Sequence, residues 1–84
     1  MKTIHVEVTQ EDIDSGVPTH CCECPLARAL SRAACEPVDV VVRKAFFAFD
    51  EIGFDLPPVA VLFRRDFDAG RYVRPIVFDV EVPR

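Results

Sequence analysis

His20-Cys21-Cys22-Glu23-Cys24 is the densest chemistry in this sequence, with four of its five side chains offering nitrogen or sulfur to a soft metal ion. Cys21-x-x-Cys24 has the spacing of a metal knuckle or a redox pair, and one such pair does not decide between them. A structural zinc takes four ligands at about 2.0–2.3 Å. The other cysteine, Cys35, follows Cys24 by eleven residues, which is ~16 Å along a continuous helix and too far to share a metal. That span also exceeds the ~7 Å between Cα atoms that a disulfide tolerates, and a bond between the neighbours Cys21 and Cys22 is strained, so free thiols are expected. The zinc set that this segment offers is His20, Cys21 or Cys22, and Cys24, with a remote group such as His5 able to complete it. A thioredoxin-like role fits less well, because Pro25 follows the second cysteine instead of lying inside the pair. Cys24 stands where a helix N-terminus stabilises a thiolate. The plainer account of it is a small half-buried residue at the mouth of a helix.

Nucleophilic catalysis requires a base within hydrogen-bond reach of the nucleophile, and the bases titrating near neutrality are His5 and His20. A His20–Cys24 couple is conceivable, but no Gly-rich oxyanion or phosphate loop accompanies it, and an enzyme is not expected. Glu7, Asp79 and Glu81 share a polar sheet face with His5 if the first and last strands are neighbours, as a cation site or a solvated surface. Lys44-Ala45-Phe46-Phe47-Ala48-Phe49 loosely matches the aromatic strand of RNA-recognition domains. Alanine replaces the motif's glycine and the net charge has the wrong sign, so core packing accounts better for these rings, and direct nucleic-acid binding is not expected. Arg64-Arg65, Arg71 and Arg74 read as the wet side of a helix and loop, or as a small basic patch.

The elements that must position these residues are legible from periodicity. Ile4, Val6 and Val8 alternate with Thr3, His5 and Glu7, which predicts a half-buried strand over residues 3–8. Thr9 is an N-cap for one helical turn that Gly16 ends in a left-handed conformation. Pro25 opens a helix over about 25–35, with Leu26, Ala29, Leu30 and Ala33 on one face. Strands follow over 38–42 and 46–49, with Arg43-Lys44 turning between them. Pro57-Pro58 opens a second helix over about 57–68, closed by a left-handed Gly70, and Ile76, Phe78, Val80 and Val82 define a last strand. The order β-α-β-β-α-β predicts an α+β two-layer sandwich. Its mainly antiparallel four-stranded sheet carries both helices on one face, in an arrangement that a ferredoxin-like fold would share.

With 84 residues the chain allows one domain, 1–84, and half of it is apolar, too much for a disordered chain. No apolar run approaches the ~20 residues that span a bilayer. The chain opens on strand-like alternation without an apolar signal core, so a soluble cytoplasmic protein, with no membrane partner, is expected. The whole net charge of −4 falls within residues 1–24, where Glu7, Glu11, Asp12, Asp14 and Glu23 face Lys2 alone. Glu11, Asp12 and Asp14 form a local acidic cluster. Such a patch repels nucleic acid and favours a basic protein surface, or else serves solubility and a helix N-terminus.

Thr9-Gln10-Glu11-Asp12-Ile13 with Gly16, Cys24-Pro25-Leu26-Ala27 with Ala29, Leu56-Pro57-Pro58 and Phe67-Asp68-Ala69-Gly70 together resemble small uncharacterised proteins encoded by phages and prophages. These motifs are caps and helix starts, and His20-Cys21-Cys22 stands outside them. The resemblance implies a phage accessory role. Small acidic phage proteins, anti-CRISPR proteins among them, often block a host nuclease or defence complex by covering a basic surface meant for nucleic acid. The expectation is therefore a non-enzymatic, cofactor-free protein that binds a basic host protein stoichiometrically through Glu7, Glu11, Asp12 and Asp14, inside the host cytoplasm. An apolar sheet edge or exposed phenylalanine would also permit a homodimer. The alternative is a small zinc-binding or thiol redox-sensing domain built on His20, Cys21, Cys22 and Cys24.

Overall fold

Alternation along Lys2–Val8 (β1) turns Val6 and Val8 into the core and leaves Thr3, His5 and Glu7 outside. The computed structural model describes residues 2–41 and 43–83. After β1 come Gln10–Ser15 (α1), Pro25–Ala34 (α2), Val38–Val41 (β2), Lys44–Phe47 (β3), Gly53–Asp55 (β4), Pro58–Asp68 (α3) and Ile76–Val82 (β5). The class is α+β. Among the described residues the strands form two antiparallel sheets, β1-β5 and β2-β3-β4, in place of the single four-stranded sheet expected, and three helices replace the expected two. Val42, expected at the end of the second strand, lies outside the described residues.

β4 spans three residues and runs into Leu56-Pro57-Pro58, where the prolines lack the N–H that would lengthen its ladder. β4 lies near β5 without pairing to it. So short a strand carries too few alternating positions to be read from sequence. β3 starts two residues earlier than expected, with Lys44 paired to Val41 and therefore part of the strand and not of the turn.

β1 and β5 pair Ile4 with Val80, Val6 with Phe78 and Val8 with Ile76, so their apolar faces coincide. α2 packs on β1 and β2 and joins the two sheets through one core, burying Leu26, Ala27, Ala29 and Leu30. Phe47 and Phe54 meet in that core with ring centroids 5.2 Å apart. α3 contributes Ala60 and Phe63. It ends as expected near Gly70, which is left-handed (φ 77°) and donates to Phe67 O. Gly16 differs from expectation, since its backbone is extended (φ −72°). The side chain is missing there for space: a Cβ would stand 2.6 Å from Pro25 Cγ and Cδ and 2.8 Å from Asp12 O. Among the described residues no helix is long and apolar enough to cross a membrane.

Candidate metal centre

The segment between α1 and α2 is held at both ends. Val17 N–H donates to Glu23 O at 2.8 Å and closes the loop on itself, while Thr19, left-handed at φ 60°, donates its N–H to Asp68 Oδ1 of α3 at 2.9 Å. Cys21 O accepts from Val40 N–H of β2 at 2.8 Å. Arg64 of α3 completes the frame, bonding Val40 O at 2.7 Å and Asp68 at 3.3 Å. Loop, strand and helix are thus cross-linked around the very residues that carry the thiols.

On this frame His20, Cys21 and Cys22 each bring a ligand atom to within 4.8 Å of the others, all three side chains being exposed. The two Sγ atoms are 3.0 Å apart, and the Cys22 thiol donates to Asp39 Oδ1 of β2 at 3.1 Å. His20 Nδ1 accepts from Cys22 N–H at 3.3 Å, and its Nε2 faces Glu23 Oε2 at 3.8 Å. The Cys21 thiol and then the Asp39 carboxylate push the Cys22 thiol up to about 12, away from what a nucleophilic thiolate requires. The donor set of one imidazole and two thiols suits a borderline-soft cation of the zinc class.

Cys24 is not among these ligands. It is fully buried, and its Sγ accepts from Ala27 N–H at 3.4 Å as the N-cap of α2, with burial raising its pKa. The sulfur therefore points into the core and stays a thiol, so the ligand set read as His20, Cys21, Cys22 and Cys24 loses its fourth member. Cys35 sits exposed at the far end of α2, and His5 lies on β1 hydrogen-bonded to Asp79 at 2.7 Å. Asp39 was not legible as part of the site. Its signal was a polar residue between the buried Val38 and Val40, and only the docking of the loop on β2 brings it to Cys22.

The acidic cluster is divided. Asp12, expected on the surface with Glu11 and Asp14, is 2 % exposed and turned inward. Arg32 grips it with Nη1 on Oδ1 at 2.9 Å and Nη2 on Oδ2 at 2.7 Å, and also donates to Glu7 O at 2.8 Å. Thr9 and Asp12 exchange the two bonds of a capping box. Burial alone would raise the Asp12 pKa, but the bonds from Arg32 and Thr9 outweigh it and hold the carboxyl below its ordinary value. Glu7, Glu11 and Asp14 remain exposed.

The other candidates resolve simply. β1 and β5 are neighbours, and His5 lies 2.7 Å from Asp79 and 3.8 Å from Glu7 on an exposed face, its pKa raised chiefly by the Asp79 bond. Phe47 is in the core, Phe46 packs over Gly53, and Phe49 stands 81 % exposed beyond the strand, so the three rings form no stacking platform. Arg64 is tied into the frame and Arg71 pairs with Asp66 at 3.1 Å. Two grooves of about 550 Å³ each run along α3 between Arg43, Val61 and Arg65, and none of the thiols lines them. No protein-family model, curated protein or solved structure matches the chain.

Proposed function

We propose that this chain is a non-enzymatic module that holds a thiophilic divalent cation of the zinc class at His20, Cys21 and Cys22. The observation that carries this reading is the convergence of three ligand atoms within 4.8 Å on a loop fastened to both β2 and α3. A fastened loop loses little freedom when a cation arrives, which favours binding. The test is the metal content and zinc affinity of protein purified without added metal. One equivalent per chain is expected, with chelation lowering the melting temperature and Cys21→Ser with Cys22→Ser abolishing the uptake. A free energy of about 2.7 kcal/mol would separate the loaded and stripped forms at a hundredfold excess over Kd. Absence of zinc uptake by the reduced protein would end this reading.

A second reading is stoichiometric binding to a basic host protein, in the manner of anti-CRISPR inhibitors, as the resemblance to phage proteins implies. Its support is that Glu11 and Asp14 are exposed and form no ion pair among the described residues. Reversing the charge of Glu7, Glu11 and Asp14 should then abolish capture of the partner without altering the unfolding transition, and unchanged capture would refute it.

A further inference from the structure

We infer that Asp39 is the fourth ligand of this site, which makes it a closed clamp of one nitrogen, two sulfurs and one oxygen spanning the α1–α2 loop and β2. The inference rests on the cation reading above and adds the ligand that turns an open three-donor loop into a structural centre. Asp39 Oδ1 already lies 3.1 Å from Cys22 Sγ. The carboxylate forms no ion pair among the described residues, so a cation would not have to displace another charge. Its place is fixed from both sides: the preceding and following residues, Val38 and Val40, are buried, and Val40 N–H holds Cys21 O.

Asp39 stands outside the group of three and touches it through Cys22, so the exposed side chains must close on it, and the two edges along that path are near those of a tetrahedral ion. Zinc bonds of about 2.3 Å to sulfur and 2.0 Å to oxygen imply sulfur–sulfur and sulfur–oxygen edges of ~3.8 and ~3.5 Å. The corresponding separations are 3.0 and 3.1 Å in the hydrogen-bonded thiol form. Loss of the thiol protons removes those hydrogen bonds, and each edge opens by less than ~1 Å, within the reach of exposed side chains. Each cation bound releases the Cys21 and Cys22 protons to solvent, leaving a site of two thiolates, one carboxylate and a neutral imidazole. With Glu23 facing His20 Nε2 at 3.8 Å, the cation would take Nδ1 in place of the Cys22 N–H bond, and Glu23 is placed to orient the ring from outside the ligand shell.

The consequence is mechanical. A cation held by both His20 and Asp39 staples the loop to the free edge of β2, and the Val40 N–H to Cys21 O bond joins the same two segments one residue from Asp39. Binding should therefore slow hydrogen exchange at Val40.

The experiment titrates reduced, full-length protein with cobalt(II) and then zinc, for the wild type, Asp39→Asn and Glu23→Gln, with amide exchange followed by NMR. Asp39→Asn conserves shape and leaves the folded circular dichroism as an internal control. Expected are tetrahedral cobalt bands in the wild type, and zinc affinity at least ~10-fold weaker in Asp39→Asn, the lower bound for losing even an outer-shell partner. Zinc should also protect Val40 N–H in the wild type and not in Asp39→Asn. If the wild type binds and Asp39→Asn binds equally tightly with the same cobalt spectrum, the fourth-ligand inference is overturned while the three-ligand site stands. A loss confined to Glu23→Gln would name Glu23 as the ligand and equally overturn it. No uptake by the wild type would overturn the underlying cation reading.

Discussion

Replacing the buried Asp12 with alanine should cost more stability than changing either of its exposed neighbours Glu11 and Asp14. The substitution deletes both oxygens gripped by Arg32, at 2.9 and 2.7 Å, and the acceptor for Thr9 N–H at 3.0 Å. Breaking one side of a buried ion pair costs about 3–5 kcal/mol. Arg32 is more than half exposed and regains water, which brings the figure to the lower end of that range, about 3 kcal/mol with the lost helix cap included. For a chain of this size that corresponds to a fall of roughly 12–24 °C in Tm. The assay is urea unfolding followed by far-ultraviolet circular dichroism, with Glu11→Ala and Asp14→Ala as controls that should stay within ~0.5 kcal/mol. Acid provides an independent check. Because the folded pKa of Asp12 is lowered, its contribution is complete above the ordinary carboxyl value of 3.8 and is lost as the pH falls through the lower folded value. The wild type should thus show an acid-dependent loss of stability that Asp12→Asn lacks. A cost below ~1 kcal/mol at unchanged m would show that Asp12 is solvated, and the inward-facing assignment would be wrong.

Two further outcomes follow from burial and close approach. Alkylation of the folded protein at neutral pH should modify Cys21 and Cys35 well before Cys24, which is buried with a raised pKa, and peptide mass mapping that found Cys24 labelled first would contradict its role as the cap of α2. Gly16→Ala should destabilise by ~1–3 kcal/mol, because its Cβ would overlap Pro25 and the Asp12 carbonyl, whereas Gly70→Ala meets open space and bears only about 1 kcal/mol of left-handed strain; equal Tm shifts for the two would refute the packing argument.

The thiol-rich segment shows how far residue types alone carry a site. His20, Cys21 and Cys22 were identifiable because they are adjacent, and adjacency guarantees proximity whatever the fold. Cys24 was grouped with them by the same logic, yet helix capping turned its sulfur the other way, toward Ala27 N–H and the core. Asp39 escaped notice because it lies seventeen residues from Cys22 on a strand whose alternation marks it merely as outward-facing. The acidic cluster failed similarly: three carboxylates close in sequence spread around a helix, and the one on the inner face found Arg32, twenty residues on.

Local order was therefore written in the chain. The alternation of β1 and β5, the Thr9 and Pro25 helix starts and the stop at Gly70 all depend on residues a few positions apart, where backbone geometry alone sets the period. The α+β class follows from that order. The docking of those elements decided the rest: β4 came to lie near β5 without pairing to it, Arg32 drew Asp12 inward, and the loop held by the bond from Val40 to Cys21 carries the Cys22 thiol beside Asp39. These outcomes depend on which faces meet when the core closes, and the balance of burial and pairing that selects them exists only once the whole chain has packed.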